Sequence, residues 1–467
     1  MVLAGLAAGG CATAPDAPVA AGAVPARFKE AAPSASGPYA EAQPRGAWWQ
    51  AFADPTLNQL IARADRDNQT IQVAAARLAQ ARALVRAAQA QRMPQLDLNN
   101  GASRLGGPLV NAAGGGGNLF STTADLSYEV DLFGRLAQAS DAATLDAQSR
   151  EGLLQSTRLL VQADVARTYF ALRANDAERS VLQQSIGAFR DTVRLTQRRA
   201  DAGYATGLEV ARASADLAAT EADALGLARL RAELEHALAL LVGEPASMFS
   251  LPESALVPAL PTIPPGIPSS VLARRADVAA AQRSAMAAQA RLGLAQKSWL
   301  PSLALTASGG FASPGLSDLF KMSMRAWGVG ALLALPLFDG GRREAGLQHA
   351  QADVDALGAT YRQQVLVAFK DVEDQLSGLR LLAEQAEIQH RALEYAARAT
   401  ELSASRYRNG SISQLDLLDA RRTDLRNRRQ ALQADWARYQ ATVGLIRALG
   451  GGWDTAGTPA QSAAHGD

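Results

Sequence analysis

The sequence predicts an internally duplicated α+β membrane protein in which strands from more than one chain close a shared β-barrel. Three observations lead to this prediction. A glycine turn inside a helical pattern occurs twice, two helical patterns run for about 67 residues each, and each half of the chain carries two strand patterns.

The duplication is visible as a constant offset of 207 residues between the two halves. Segments 200–213 and 407–420 match in this way. The matched positions also include glycines and a proline: Gly203 on Gly410, Gly243 on Gly450, and Pro94 on Pro301. Chance matching in an Ala- and Arg-rich chain is the alternative, but it does not account for aligned Gly and Pro positions. The pattern therefore indicates a repeated structural unit.

Composition excludes several classes of function. The 46 basic and 45 acidic residues balance, so charge gives no case for nucleic acid as a partner. The single Cys excludes an internal disulfide, and the four His residues show no metal-ligand spacing. No hydrolase serine motif is present, so we expect no metal, no cofactor and no enzymatic activity. No apolar run reaches the roughly 18 residues of a membrane-spanning helix, so a membrane crossing would use strands.

The first eleven residues resemble a bacterial lipoprotein signal peptide and lipobox, because a short apolar run precedes Cys11. We expect Cys11 to become the lipidated N-terminus. Ala12 after it, rather than Asp, is typical of lipoproteins sent to the outer membrane. The basic start of a signal peptide is missing, and the alternative is an unmodified Cys in a disordered leader. Residues 12–54 follow as an N-terminal segment, of which 12–46 predict an extended tether.

The first repeat spans residues 55–243. Asp54 and Pro55 are a helix start signal. The predicted elements are a helix over 55–92, strands over about 95–105 and 118–133, a helix over 134–202 and, after the Gly203 turn, a helix over 206–242. The loop with Gly114 to Gly117 lacks the Lys-Ser/Thr ending and the helix of a phosphate-binding loop, so we expect a flexible connection.

The strand over 118–133 alternates between an apolar and a partly acidic face. Period-2 alternation predicts a strand with one apolar and one polar side. We expect the apolar side to face lipid and the acids to face a lumen. The apolar set includes Tyr128, Val130 and Leu132, and the acids are Asp125, Glu129 and Asp131.

A link with seven prolines, residues 244–268, separates the repeats. The second repeat, 269–450, follows the same order. Its predicted elements are a helix over 269–298, strands over about 302–311 and 327–338, a helix over 342–408 and a helix over 413–449. Residues 451–467 predict a loose C-terminal tail.

Element lengths favour an elongated assembly. A helix of about 67 residues is roughly 100 Å long. Four strands per chain cannot close a membrane barrel, which needs at least eight, and an unpaired strand edge is not tolerated in lipid. The barrel must therefore be shared, with eight strands from two chains or twelve from three.

With its duplication, strand pairs and glycine turns, the chain resembles a TolC-type outer membrane factor over about residues 48–450. With Cys11 it is similar to the lipoprotein branch that serves tripartite RND efflux pumps. The resemblance implies a homotrimer with a twelve-stranded outer membrane barrel continuous with a twelve-helix periplasmic tunnel. The link and both ends would form an equatorial belt. It also implies a periplasmic adaptor (membrane fusion protein) and, through it, an inner-membrane RND pump as partners. The protein would be a passive exit duct for drugs, toxic small molecules or metal ions.

Two other functions stay open at this point. One is the outer membrane duct of a type I protein secretion system. The other is a soluble periplasmic coiled-coil adaptor, which would explain the helices but not the paired amphipathic strands.

The resemblance also implies roles for individual residues near the turns. The adaptor would dock at the tip, formed by Gly203, Thr206, Gly207, Gly410 and Ser411.

Asp416 and Asp419 match acids that line a closed periplasmic gate, and Tyr407 matches a residue that ties neighbouring helices. Ile412 stands where a locking Arg is found in the family, so Arg406, Arg408 or Arg421 would have to replace it. Two solvated acids on a helix surface are the alternative for the Asp pair.

Overall fold

The structure is a computed structural model that describes residues 25–30, 47–106, 117–254, 260–261, 263, 271–272 and 274–451. Cys11, most of the tether, much of the proline-rich link and the tail after residue 451 lie outside the described residues. The chain forms two compact units that do not follow the sequence repeats, because each draws on both repeats. One contains residues 76–151 and 280–363, and the other contains 23–75, 152–279 and 364–467.

The order of elements repeats, as the sequence predicts. The helices and strands are α1 (Pro55–Asp67), α2 (Gln69–Ala90), β1 (Gln95–Leu105), β2 (Gly117–Val130), α3 (Arg135–Asp201), α4 (Gly207–Leu241), α5 (Ala276–Lys297), β3 (Ser302–Ser313), β4 (Arg325–Ala334), α6 (Arg342–Arg408) and α7 (Gln414–Ala448). Helices α3 and α6 have 67 residues each, and α4 and α7 have 35 each. No helix among the described residues is both long and apolar enough to span a bilayer.

The four strands form one antiparallel sheet in the order β1-β2-β3-β4. Leu126 lies opposite Leu96 on one side and Ala307 on the other, so the apolar positions align across strands. Within the described residues, β1 and β4 are each paired along one edge only. The prediction for β2 ran too far, because the strand ends at Val130. The prediction for β4 was displaced, since the strand covers 325–334 rather than 327–338.

The predicted helix over 55–92 is in fact two helices that break at Asn68. The Asn68 backbone is extended, and its side-chain oxygen accepts hydrogen bonds from the N–H groups of Thr70 (2.9 Å) and Ile71 (3.2 Å), which caps α2. Its side-chain amide donates to the Leu241 carbonyl at 2.8 Å. Asn68 therefore closes two helix ends at once, and apolar periodicity alone does not show such a break.

The break has a counterpart 207 residues later at Arg275, which lies outside helix just before α5. The Arg275 guanidinium donates to the Ala448 carbonyl at 3.3 Å, so it closes the end of α7 as Asn68 closes the end of α4. The predicted helix over 269–298 is interrupted here, because Arg275 is non-helical between the helical residues 271–272 and 274 and the start of α5 at Ala276. Two ion pairs hold Arg275 there, one with Asp277 at 2.7 Å and one with Asp371 at 3.1 Å.

Gly243 and Gly450, which are 207 residues apart, have the same structural role in the two repeats. Each follows the end of a helix with positive φ, 78° and 89° respectively, which favours glycine. A Cβ on Gly243 would collide with the backbone carbonyl of Asp67, and one on Gly450 would approach the backbone of Arg274 at 3.1 Å. Both glycines thus end a helix and allow a neighbouring chain to pass close by.

The unit that contains the glycine turns also holds an aromatic core. Phe170 packs against Phe52 and Tyr439, with ring centroids 4.9 and 5.1 Å apart. Tyr169 donates its hydroxyl to Asp54, the cap of α1, at 2.7 Å. The short segment Trp48–Phe52 is therefore fixed onto α3 by ring packing and by a buried hydrogen bond.

Candidate functional site: the two glycine turns

The two glycine turns have the same backbone geometry. Gly203 and Gly410 have φ of 77° and 72°, in the left-handed region. The next N–H in each turn reaches back over the helix end: Tyr204 donates to the Arg199 carbonyl at 2.7 Å, and Ser411 donates to Arg406 at 2.9 Å. This is the Schellman ending of a helix, which uses glycine to satisfy free carbonyl groups.

Each turn is followed at once by a capping box. Thr206 and Glu209 exchange side-chain to backbone hydrogen bonds at the start of α4. Ser413 and Asp416 do the same at the start of α7, where the Asp416 carboxylate accepts from the Ser413 N–H at 3.0 Å and from its hydroxyl at 2.7 Å. The Thr-x-x-Glu and Ser-x-x-Asp spacing is a visible sequence signal for these caps, which the sequence analysis missed.

The two predicted gate acids therefore differ. The Asp416 carboxylate is used to start α7, although the residue remains exposed. Asp419 is exposed as well, and it forms no ion pair or side-chain hydrogen bond within the described part of the chain. Of the two, Asp419 is the carboxylate that is free to act on solvent or on ions.

Tyr407 is 5% exposed, and the guanidinium of Arg199 lies over its ring at 4.6 Å from the centroid. A cation over an aromatic face is attracted by the ring quadrupole. Tyr407 thus links the end of α6 to the end of α3 in the same chain. Whether it also ties neighbouring chains stays a prediction.

Among the three arginines considered in place of Ile412, Arg421 reaches another helix. Its guanidinium donates to the Ala188 carbonyl and to the Thr192 hydroxyl on α3. Burial lowers the pKa of Arg421, opposed by the charge of Asp191. In the described residues, Arg406 and Arg408 form no ion pairs.

Two further arginines on α7 hold this helix against the first repeat. Arg422 pairs with Asp216 at 2.7 Å, and seven residues later Arg429 pairs with Asp223 at 2.8 Å and with Glu178 at 2.6 Å. The two arginines are seven residues apart on α7, and Asp216 and Asp223 are seven residues apart on α4, so each set lies on one face of its helix. This register of Arg on α7 and Asp on α4 was visible in the sequence but becomes meaningful only once the two helices are adjacent.

All five residues predicted to form the docking tip are exposed. The turns also expose apolar side chains that the sequence analysis did not single out: Tyr204 is 85% exposed, and the repeat-related Leu208 and Leu415 are 59% and 49% exposed. Apolar groups collected on an exposed turn are typical of a protein-binding surface.

The three strand acids occupy different settings. Asp125 on β2 accepts from Asn99 at 2.8 Å, and Glu129 pairs with Arg135 at 2.7 Å. Asp131 was predicted as a strand acid, which is wrong in position: it follows β2 and accepts from the N–H groups of Leu136 (3.1 Å) and Ala137 (2.8 Å) at the start of α3. The alternating pattern in the sequence extended past the end of the strand because Asp131, which caps a helix, is the same residue type as Asp125 within the strand.

No cluster of three or more His, Cys, Asp or Glu residues in the described ranges is placed to bind a metal ion. The turns instead combine exposed acids, apolar side chains and interhelical ion pairs.

The chain is similar to known proteins over most of its length. The family model for outer membrane efflux proteins matches residues 60–244 and 267–451. The pyoverdine export outer membrane protein OpmQ of Pseudomonas aeruginosa is 34% identical over 87% of this chain and 88% of its own length. The cation efflux system protein CusC of Escherichia coli is 30% identical over 96% and 97%. The solved structure of the outer-membrane channel OprN superposes with a TM-score of 0.86 at 31% identity, covering 92% of this chain and 97% of that one.

Proposed function

The chain belongs to the outer membrane efflux protein family and is the outer membrane channel component of an efflux pump, and from this we propose that it works as a homotrimer. The observation that supports the trimer is the four-stranded sheet with an open edge on both outer strands, β1 and β4. Edges in lipid must be paired, and bacterial barrels have at least eight strands. Three sheets would give a barrel of twelve strands without edges.

The proposed role is that of a passive exit duct driven by an inner-membrane RND pump through a periplasmic adaptor. Related proteins are named for pyoverdine export, toluene efflux and cation efflux, at identities between 30% and 34%. Because relatives named for such different cargo have similar sequence identity to this chain, a conduit that does not select its cargo closely is favoured. Drugs, toxic small molecules and metal ions are therefore all proposed cargo classes.

The glycine turns are the proposed periplasmic tip, where Tyr204, Leu208 and Leu415 would meet the adaptor. Asp419 is the proposed lumen acid of the gate. The Arg422–Asp216 ion pair would hold α7 against α4 while the gate is closed. The geometry supports this assignment because Arg422 lies about two helical turns after the capped start of α7.

Lipid anchoring at Cys11 is proposed from the signal-like leader, and Cys11 lies outside the described residues. Replacement by Ser should abolish incorporation of a labelled acyl group into the protein. Label that remains on the Cys11→Ser chain would contradict the anchor.

Efflux in a Gram-negative strain that lacks its own channel tests the whole proposal. Expression with a cognate adaptor and pump should restore export, and the detergent-purified protein should have the mass of three chains. Leu208→Asp should abolish export without changing that mass, because it places a charge on the apolar tip. Met248→Asp, a change at an exposed apolar residue outside the turns, is the matched control and should export normally. A monomer with intact strands, or full export by Leu208→Asp, would overturn the trimer or the docking tip respectively.

A further inference from the structure

The four-stranded sheet separates its charged residues by sign between its two faces. Directly opposite residues share a face, and one row of the apolar face is Leu96, Leu126, Ala307 and Val329. Because alternate residues along a strand share a face, every acid of the four strands lies on the other face: Asp97, Asp125 and Glu129. The apolar face therefore carries no negative charge within the described strands.

Two arginines are the charged residues on the apolar face of the described strands. Arg104 lies eight residues after Leu96 on β1, and Arg325 lies four residues before Val329 on β4, so both belong to this face. Both are exposed, and neither forms an ion pair or a side-chain hydrogen bond within the described ranges. An unpaired guanidinium is a planar fork of donors that binds a phosphate group through two hydrogen bonds.

The two arginines lie at the end of the sheet that is far from the helices. Arg104 is nine residues from Gln95, which follows α2, and Arg325 is nine residues from Ala334, which precedes α6. Nine residues of strand span about 31 Å, and a tilt of about 40° reduces this to a height of about 24 Å. The outward apolar band of a membrane barrel is about 25 Å tall. In the proposed channel, both arginines therefore lie at the level of the lipid headgroups on the outer side.

Exposed apolar side chains surround one of these arginines. Phe311 lies opposite Arg325 in the register, and its ring packs edge to face against Phe320, with centroids 5.8 Å apart. Phe320, Met322 and Trp327 are 70%, 69% and 77% exposed. A free phosphate ion would use the guanidinium and leave these side chains in water. A lipid with a phosphate headgroup and acyl chains would use both, so the surface fits a lipid.

The arginines also occupy the two edge strands, β1 and β4, of the sheet. In the proposed trimer, β1 of one chain pairs with β4 of the next. Arg104 and the Arg325 of the neighbouring chain then flank the same seam, and the trimer has three such seams.

We propose that each seam binds one phosphorylated lipid of the outer leaflet of the outer membrane. Arg104 of one chain and Arg325 of the next hold its phosphate groups, and Phe311 and Trp327 contact its acyl chains. The absence of acids from this face leaves the positive charge uncompensated within the described strands, and an anionic lipid supplies the missing charge. The inference rests on the trimer of the proposed function and adds a lipid-binding site to it.

Native mass spectrometry of the full-length, detergent-purified protein, titrated with lipid A, tests the site. Lipid A carries two phosphates and several acyl chains, and three molecules should bind per trimer. Arg104→Gln combined with Arg325→Gln should weaken binding at least about tenfold, because the charge-assisted hydrogen bonds are lost. The matched control is Arg92→Gln combined with Arg342→Gln. It removes the same charge from exposed arginines at the helix end of the same two strands and should change binding less than about twofold.

Each single variant separates a shared site from two independent ones. Arg104→Gln alone and Arg325→Gln alone should each weaken binding about as much as the double variant, because one lipid needs both sides of the seam. The single variants also test the site where the double variant fails to assemble. Six lipids per trimer, or a single variant that binds like wild type, would overturn the shared site.

The chemistry of the lipid is tested with three other probes on wild-type protein. Lipid A without its phosphates should bind at least about tenfold more weakly than lipid A, and phosphatidylglycerol should bind more weakly as well. Inorganic phosphate in about hundredfold excess should displace no lipid. Equal binding of the dephosphorylated lipid or of phosphatidylglycerol, or displacement by inorganic phosphate, would overturn an outer-leaflet lipid as the occupant.

The same spectra distinguish failure of this site from failure of the proposed function. Wild-type protein with the mass of one chain would refute the trimer. A trimer that binds lipid A equally well before and after the double substitution would refute the lipid site and leave the channel proposal untouched.

Discussion

Replacing Asp419 by Asn should weaken the cation selectivity of the channel without weakening the fold. Asp419 is exposed and has no ion-pair partner in the described part of the chain, so a surface change of this kind should alter stability by less than about 0.5 kcal/mol. Asp416 is a different case, because its carboxylate closes a capping box with Ser413. Asp416→Ala should cost about 1 kcal/mol, because it removes the N3 carboxylate that accepts from the Ser413 N–H in the capping box.

The two effects separate by their dependence on salt. In the proposed trimer, each position contributes three carboxylates at one level of the tunnel. Their field extends over a Debye length of about 30 Å at 0.01 M salt but only about 3 Å at 1 M. The loss of selectivity in Asp419→Asn should therefore be large at low salt and nearly vanish at 1 M. The lost cap in Asp416→Ala should persist at both salt concentrations.

Reversal potentials in planar bilayers under a salt gradient measure selectivity, and amide hydrogen exchange of the turn peptide measures the cap. Loss of 1 kcal/mol corresponds to about fivefold faster exchange by local opening at the start of α7. Asp419→Asn should leave that exchange unchanged. An unchanged reversal potential at low salt for Asp419→Asn would show that this acid does not face the ion pathway, and the gate assignment would then be wrong.

Three further predictions concern stability and insertion. Gly243→Ala should destabilise the protein more than Gly203→Ala in thermal unfolding. Both positions have positive φ, but only at 243 would a Cβ collide with a backbone carbonyl. Equal losses of stability in the two variants would contradict the close approach at 243. If the apolar face of β2 meets lipid, Leu126→Arg in mid-strand should make the free energy of membrane insertion less favourable by about 2–4 kcal/mol. Val130→Arg at the strand end should cost about 0–1 kcal/mol, and refolding of the barrel into vesicles measures both. Equal costs would place the membrane elsewhere. Burial would raise the pKa of Asp277, but its hydrogen bond and ion pair with the adjacent guanidinium hold it below its usual range. The contribution of Asp277 to folding stability is therefore present above about pH 4 and is lost as the pH falls through the lowered pKa. In denaturant titrations, the difference in stability between wild type and Asp277→Asn should shrink in acid. A difference that widens in acid would refute the pairing.

Several features followed from local sequence because they depend on local physics. The bounds of β1 and α6 match the prediction to the residue, since each is delimited by strong signals such as Pro94 and the Gly410 turn. Long helical periodicity and a glycine that must adopt positive φ need no knowledge of distant neighbours. The same holds for the family resemblance, which rests on the duplicated turn.

Other predictions failed where a distant partner decides the outcome. The break at Asn68 is stabilised by the Leu241 carbonyl, 173 residues away, and its counterpart Arg275 by Ala448 at the same separation. The prediction for Asp131 failed for a local reason instead, because its carboxylate accepts from the N–H groups of Leu136 and Ala137 at the start of α3.

The sequence by itself determined the duplication, the order of helices and strands and the position of both turns, because periodicity, capping and glycine conformation are local properties. Only the tertiary structure decided which charged side chains are engaged. It showed that Arg422 pairs with Asp216 across two helices, whereas Asp419 has no ion-pair partner among the described residues. The residue type, Asp, is the same in the paired and the unpaired case. The basic partner that distinguishes the two cases comes near only when the helices pack.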